Sequence, residues 1–356
     1  MNNFKIKKDR QFLMQRMGDI SQLAGAKTYE LTQGRAKGVQ AVDIKTGTGL
    51  EFTVLPDRAL DIAWAGYRGV PLSYISKTSI VSPVYYEPVG LNWLRSFFAG
   101  LLTTCGLSNV GGPCDAADPI LGSQHHGLHG RISNIPASNV AVSEKWQENE
   151  FQISVTGRTA QAMFFAENLI LERTISTALG SNKILIHDTI ENAGFSPQPV
   201  MILYHINLGY PLLDETSRFL CSSKTITPGN DLSKIHLGEY STFTPPDPHF
   251  REHLFFHQPN ADADGFASAA LINDELELGL YIKFNVNQLG HLVQWKMLGQ
   301  SEYVLGIEPA NCLPLSRREQ EKRGGLEYLD PGRGKHIDLE IGLLPDKSAI
   351  ADFHSP

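Results

Sequence analysis

Between Asn139 and Leu208 the sequence alternates apolar and polar residues with a period of two, and this constrains the fold more than any other feature. Residues 139–148 and 151–158 form one hairpin pattern. Residues 168–177 and 183–190 form a second around Gly180-Ser181-Asn182, and Val200–Leu208 is a further strand. Earlier, residues 39–44, 50–55 and 59–64 read the same way around Gly47, Gly49 and Pro56-Asp57-Arg58, and strands are expected again at 276–285, 290–297, 303–307 and 336–344. No repeat of fixed period and no long amphipathic helix appears. The expected architecture is all-β: one large antiparallel β-sandwich over residues 1–356 with a few short helices. Residues 1–34 form a peripheral segment whose stretch 9–23 carries a weak helical pattern. Residues 213–268 are expected to be irregular, as a lid or a subunit contact, and 92–98 to be a short helix or a bent strand.

Composition limits the partners. At 42% hydrophobic and 19% charged, the 356-residue chain can build a large core. Its 31 basic residues are dispersed and the net charge is −7, which speaks against nucleic acid or an anionic membrane. No signal-like or spanning segment is evident, and four irregularly spaced cysteines read as free thiols, so a cytoplasmic location is expected.

The densest chemistry lies in Gln124–Ala137, where His125, His126, His129, Arg131 and Asn134 fall between turn-forming Gly and Pro. Zinc held by these histidines with Cys114 or Asp115 is an alternative, but the spacing matches no standard site and no metal is expected. Nucleotide-cradling and nucleophile-elbow motifs are lacking, and no cofactor is expected.

Two strands carry sharper candidates. In Val200–Leu208, residues 200, 202, 204, 206 and 208 make a continuous apolar face, so His205 and Asn207 emerge together on the other. A lone strand histidine is more often structural; the neighbouring Asn207 points to a polar pocket. In Tyr303–Asn311, Glu308 shares a face with Gly306, whose missing side chain implies close approach of a ligand or another backbone. Pro309 holds Glu308 extended. Arg58 and Asp61 flank a turn between apolar strands, and both a structural pair and a site role are open.

Four stretches, Pro56–Ile62, Gly100–Leu107, His126–Asn134 and Gly306–Asn311, together resemble the aldose 1-epimerase (galactose mutarotase-like) superfamily, most nearly a bacterial branch of aldose-epimerase-like proteins. The resemblance implies a supersandwich binding a small-molecule sugar on a concave face. It implies His205 as the acid that protonates the ring oxygen and Glu308 as the base that takes the anomeric proton. It also implies a sugar-binding histidine at His129 or His126, with His129 preferred. Substrate contacts are further expected from Arg131, Arg58, Asp61, Asn207 and Asn311. A homodimer is allowed. The expected function is a carbohydrate isomerase that interconverts anomers. The alternatives are a non-catalytic sugar binder or sensor, and an epimerase acting at another sugar carbon.

Overall fold

A computed structural model describes residues 8–118 and 121–355. The alternating patterns become strands, and every ladder between them is antiparallel. An eight-stranded sheet runs in the order Ser138–Gln147, Glu150–Ala162, Asn168–Ala178, Lys183–Asn192, Gly334–Leu344, Leu278–Asn285, Phe266–Asn273, Arg218–Cys221. A seven-stranded sheet runs Ser223–Pro228, His253–Pro259, His291–Gly299, Glu302–Ala310, Gln198–Gly209, Glu327–Leu329, with Thr103–Leu107 also paired to Gln198–Gly209. A five-stranded sheet begins with Gly25–Glu30, Gln40–Lys45, Leu50–Leu55 and Asp61–Tyr67. The α-helices among the described residues have five or six residues each, and none is long and apolar enough to cross a membrane. All four cysteines are free.

One continuous apolar core joins the three sheets. Ile153, Val155, Ile175 and Ile186 of the eight-stranded sheet meet Ile202, Tyr204, Ile206 and Ile307 of the seven-stranded sheet, with Val42, Phe52 and Ile62 of the five-stranded sheet closing the side. At about 25 cal/mol per Å² of apolar surface, this burial is the main force holding the layers together.

One buried polar network is fully paired. Arg173, 1% exposed, binds Asp188 at 2.6 Å and Asp61 at 3.1 Å. The Tyr204 hydroxyl donates to Asp188 at 2.7 Å, and Thr104 donates to Asp61 through its amide and its hydroxyl. This network ties three sheet regions to the strand that carries His205.

Three expectations need correction. The stretch 213–268 is not mainly irregular: it holds Arg218–Cys221, Ser223–Pro228, His253–Pro259 and the start of Phe266–Asn273. Its pattern is obscured because buried positions are polar. His257, for instance, is 2% exposed and bonded to Gln294 and Ser223. The helix expected at 9–23 is broken into Arg10–Met14 and a 3-10 turn at Ile20–Gln22, and Gly25–Glu30 forms an edge strand of the five-stranded sheet. The histidine stretch begins as a strand, Gly122–His126 paired with Cys114–Asp118, and only then becomes a loop. Asn92–Arg95 is a 3-10 turn.

Candidate active site

Strand alternation builds the floor. On Gln198–Gly209 the even-numbered residues 200–208 face the main core, while Met201 and Leu203 face a second cluster with Trp93, Phe97, Val110, Val293 and Ala310. His205 and Asn207 continue that second face. The pairs Leu203↔Ala310, Ile206↔Ile307 and Asn207↔Gly306 set the register, which places His205 directly across from Glu308. Opposed residues on one face of a sheet bring their side chains together. His205 Nε2 lies 3.2 Å from Glu308 Oε1, with the two residues 5% and 3% exposed. The approach is not aligned as a hydrogen bond: Glu308 Oε1 and His205 Nδ1 both lack a partner in the protein.

Gly306 makes room for this arrangement. A β-carbon there would collide with Glu308 Oε1, so the close approach implied by the glycine is made by the chain's own carboxylate.

Burial, helped by the nearby charge of Glu252, pushes the Glu308 carboxyl well above the ordinary carboxylate range. Burial and proximity to His129 pull His205 down to about 3. Both shifts favour the uncharged forms of the two groups, a carboxylic acid beside a neutral imidazole.

Aromatic rings frame the pair. Phe97 and Trp295 have ring centroids 5.2 and 5.3 Å from that of His205, and His129 meets it edge-on at 6.0 Å. Trp93 stacks on Phe97 and packs against His129, both at 4.6 Å. The buried indole Nε1 of Trp93 has no partner in the protein, and neither does the buried Asn207 Oδ1. Asn207 Nδ2 donates to the His205 carbonyl at 2.8 Å.

The histidine stretch divides by position. His129, held at φ +55 between Gly127 and Gly130, brings its ring to His205. Its Nδ1 lies 2.5 Å from the Val110 carbonyl. A carbonyl can only accept, so Nδ1 carries the hydrogen and Nε2 is left as an acceptor. Burial draws the ring down to about 4, which keeps it neutral. His126 is also lowered to about 4, by burial and the charges of Arg317 and Arg131, but shows no ring contact with His205. His125 bonds Asp115 and the Gly90 amide. Arg131 is exposed, and its charge reaches His126 and Tyr86. Among the described residues no three His, Cys, Asp or Glu side chains converge as a metal site would require.

Three expected substrate contacts are placed elsewhere. Arg58 is fully buried and donates to the carbonyls of Ser133, Val81 and Ser96. Asp61 is spent on Arg173 and Thr104, so it forms a structural pair with Arg173 rather than with Arg58. Asn311 accepts from the Ile202 amide and donates to Val200 and Glu327. All three brace the site from behind. Trp93, Phe97, Trp295 and Glu252 are site residues that the sequence reading missed. Alternation across from Gly306 is the signal that would have found Trp295. A cavity of about 800 Å³ lies apart from the pair, over the five-stranded sheet beside Trp64, and includes none of these residues.

A family model described as a domain of unknown function, DUF4432, matches residues 36–343. The chain belongs to the DUF4432 family. Among solved structures, this DUF4432 member is similar to a Klebsiella pneumoniae protein described provisionally as an aldose 1-epimerase: 28% identity over 93% of this chain and 88% of that one, TM-score 0.86. It also matches a galactose mutarotase-like protein from Clostridium acetobutylicum (14% identity, 90% and 99% covered, TM-score 0.64) and galactose 1-epimerase from Lactobacillus acidophilus (14%, 90% and 98%, TM-score 0.57). No protein of curated function has a significant sequence match to it. The fold is therefore galactose mutarotase-like, and the superfamily resemblance read from the motifs holds.

Proposed function

We propose that this protein is a carbohydrate isomerase of the aldose 1-epimerase type, in which His205 and Glu308 move the protons. The observation that carries the reading is the 3.2 Å separation of His205 Nε2 and Glu308 Oε1 within a buried, ring-lined face. A cyclic sugar bears its ring oxygen and its anomeric hydroxyl on one carbon. Opening the ring requires a proton delivered to one oxygen and withdrawn from the other, so donor and acceptor must stand side by side. Glycoside hydrolysis instead uses two carboxyl groups roughly 5–9.5 Å apart, whereas the group within reach of Glu308 is an imidazole.

The single proton of the pair suffices. With sugar bound, the proton held by Glu308 passes to His205 across their short gap. His205 then donates to the ring oxygen as the bond from that oxygen to the anomeric carbon breaks. Glu308 takes the hydroxyl proton, leaving an aldehyde. Rotation about the adjacent carbon–carbon bond and reversal of both transfers close the ring as the other anomer, and the proton count is restored. The ideal pair for this exchanges protons readily in both directions. Trp93 Nε1 is suited to donate to a substrate hydroxyl, and Asn207 Oδ1 and His129 Nε2 to accept from one. Leaving such buried groups unpaired disfavours the empty site, and a polyhydroxylated ligand would satisfy them.

The test is two-dimensional exchange NMR on a panel of aldoses, uronic acids and sugar phosphates. At least one should show anomer exchange above its spontaneous rate. A sugar that binds without acceleration would instead support a non-catalytic binder.

A further inference from the structure

Glu252 immediately precedes the strand His253–Pro259, and sequence reasoning attaches no role to it. The register Leu254↔Trp295, Trp295↔Gly306, Val293↔Glu308 puts Leu254, Val293, Trp295, Gly306 and Glu308 on one face of the seven-stranded sheet. Glu252 extends that row past the end of the ladder. Its Oε2 accepts a hydrogen bond from Trp295 Nε1 at 2.9 Å. The Trp295 ring in turn meets His205 nearly perpendicular, at 78° and 5.3 Å.

Two features make this more than a surface contact. Trp295 is half-buried and its ring contacts that of His205, whereas Trp93 is only 2% exposed. Glu252 is exposed and, among the described residues, has no cationic partner, so its charge is not cancelled locally. We propose that Glu252 is a positioning residue: it fixes the half-exposed Trp295 ring as the wall on which a sugar ring rests.

The chemistry supports this role. A pyranose presents a face of C–H groups that packs on an indole, and an indole already held in one orientation spends less conformational freedom on binding. The sugar-wall role rests on the isomerase reading above. The link from Glu252 to Trp295 does not.

Glu252→Gln keeps an acceptor for the indole and removes the charge; Glu252→Ala removes both. One readout needs no sugar: the Trp295 indole ¹⁵N–¹H resonance, assigned by its loss in Trp295→Phe. In Glu252→Gln the indole resonance should stay near its native position. In Glu252→Ala it should move, and KM for an accelerated sugar should rise about threefold to tenfold, the range for one aromatic contact, while KM in Glu252→Gln stays near the native value. An unmoved indole resonance in Glu252→Ala would overturn the proposal. Absence of anomer exchange by the native protein would overturn only the isomerase reading, since the indole readout remains decisive.

Discussion

The carboxylate of Glu308 lies over the α-carbon of Gly306, two residues back on the same strand, in space that a β-carbon would occupy. The bareness of Gly306 is thus what lets Glu308 reach His205. Gly306→Ala should leave the fold intact, because the position is in a regular ladder opposite Asn207 and Trp295. It should nevertheless displace the carboxylate and lower kcat by about 10²-fold, the order expected when a reacting group moves by an ångström. Circular dichroism and anomer-exchange rates on one sample check both halves. A fully active alanine variant would mean that Glu308 is not the group that reacts.

The pH profile follows from the one-proton pair. A second proton is taken up by His205 only near its lowered value of about 3. The first is lost from Glu308 above its raised value. After subtraction of the uncatalysed rate, kcat/KM should be level above the His205 value and should fall as pH rises through the raised Glu308 value. Because titrations of a coupled pair belong to the pair, the profile is the same whichever residue holds the proton. An acid limb centred near the ordinary histidine value of 6.5 would contradict this.

The same proton sets a stability signature. Glu308 keeps its proton in the folded state, whereas the unfolded chain releases it above the ordinary value of 4.5. The native state therefore binds more protons, and its stability declines as pH rises above 4.5 toward the raised folded value. Glu308→Gln removes that decline. Calorimetry should find the variant melting higher than the native protein at pH 8, with the gap closing toward pH 4.5. A variant that melts lower at pH 8 would show that the site does not hold a proton.

Much of this was legible in the sequence because a strand's period of two is unforgiving. Placing Val200, Ile202, Tyr204, Ile206 and Leu208 in the core forces His205 to the other face, and the same parity orients Glu308. Contacts between distant strands leave no such trace. The pairing of Arg173 with Asp61 joins residues 112 positions apart, so Asp61 read equally well as a site residue. Glu252 was hidden likewise, since its role arises only once two strands are laid side by side.

That network makes its own prediction. Asp61→Ala would strand Arg173 in the core without one of its two carboxylates, at a cost of roughly 3–5 kcal/mol. The expected result is a large drop in denaturant midpoint, with KM nearly unchanged in whatever fraction stays folded. A variant of native stability with a tenfold higher KM would return Asp61 to the sugar site.

The histidines separate more simply. His129→Ala should raise KM about tenfold, as expected for losing a buried acceptor to substrate, whereas His126→Ala should change it less than about threefold. Titration calorimetry with an accelerated sugar would check this, and the reverse order would move the binding role to His126.

The most direct test of the account is the rate of anomer exchange, followed by NMR, in native protein, His205→Asn and Glu308→Gln at neutral pH. Each substitution should lower the catalysed rate by about 10²-fold or more, the usual contribution of a positioned acid or base, with the sugar still bound. Native rates in both variants would contradict the assignment of proton transfer to His205 and Glu308.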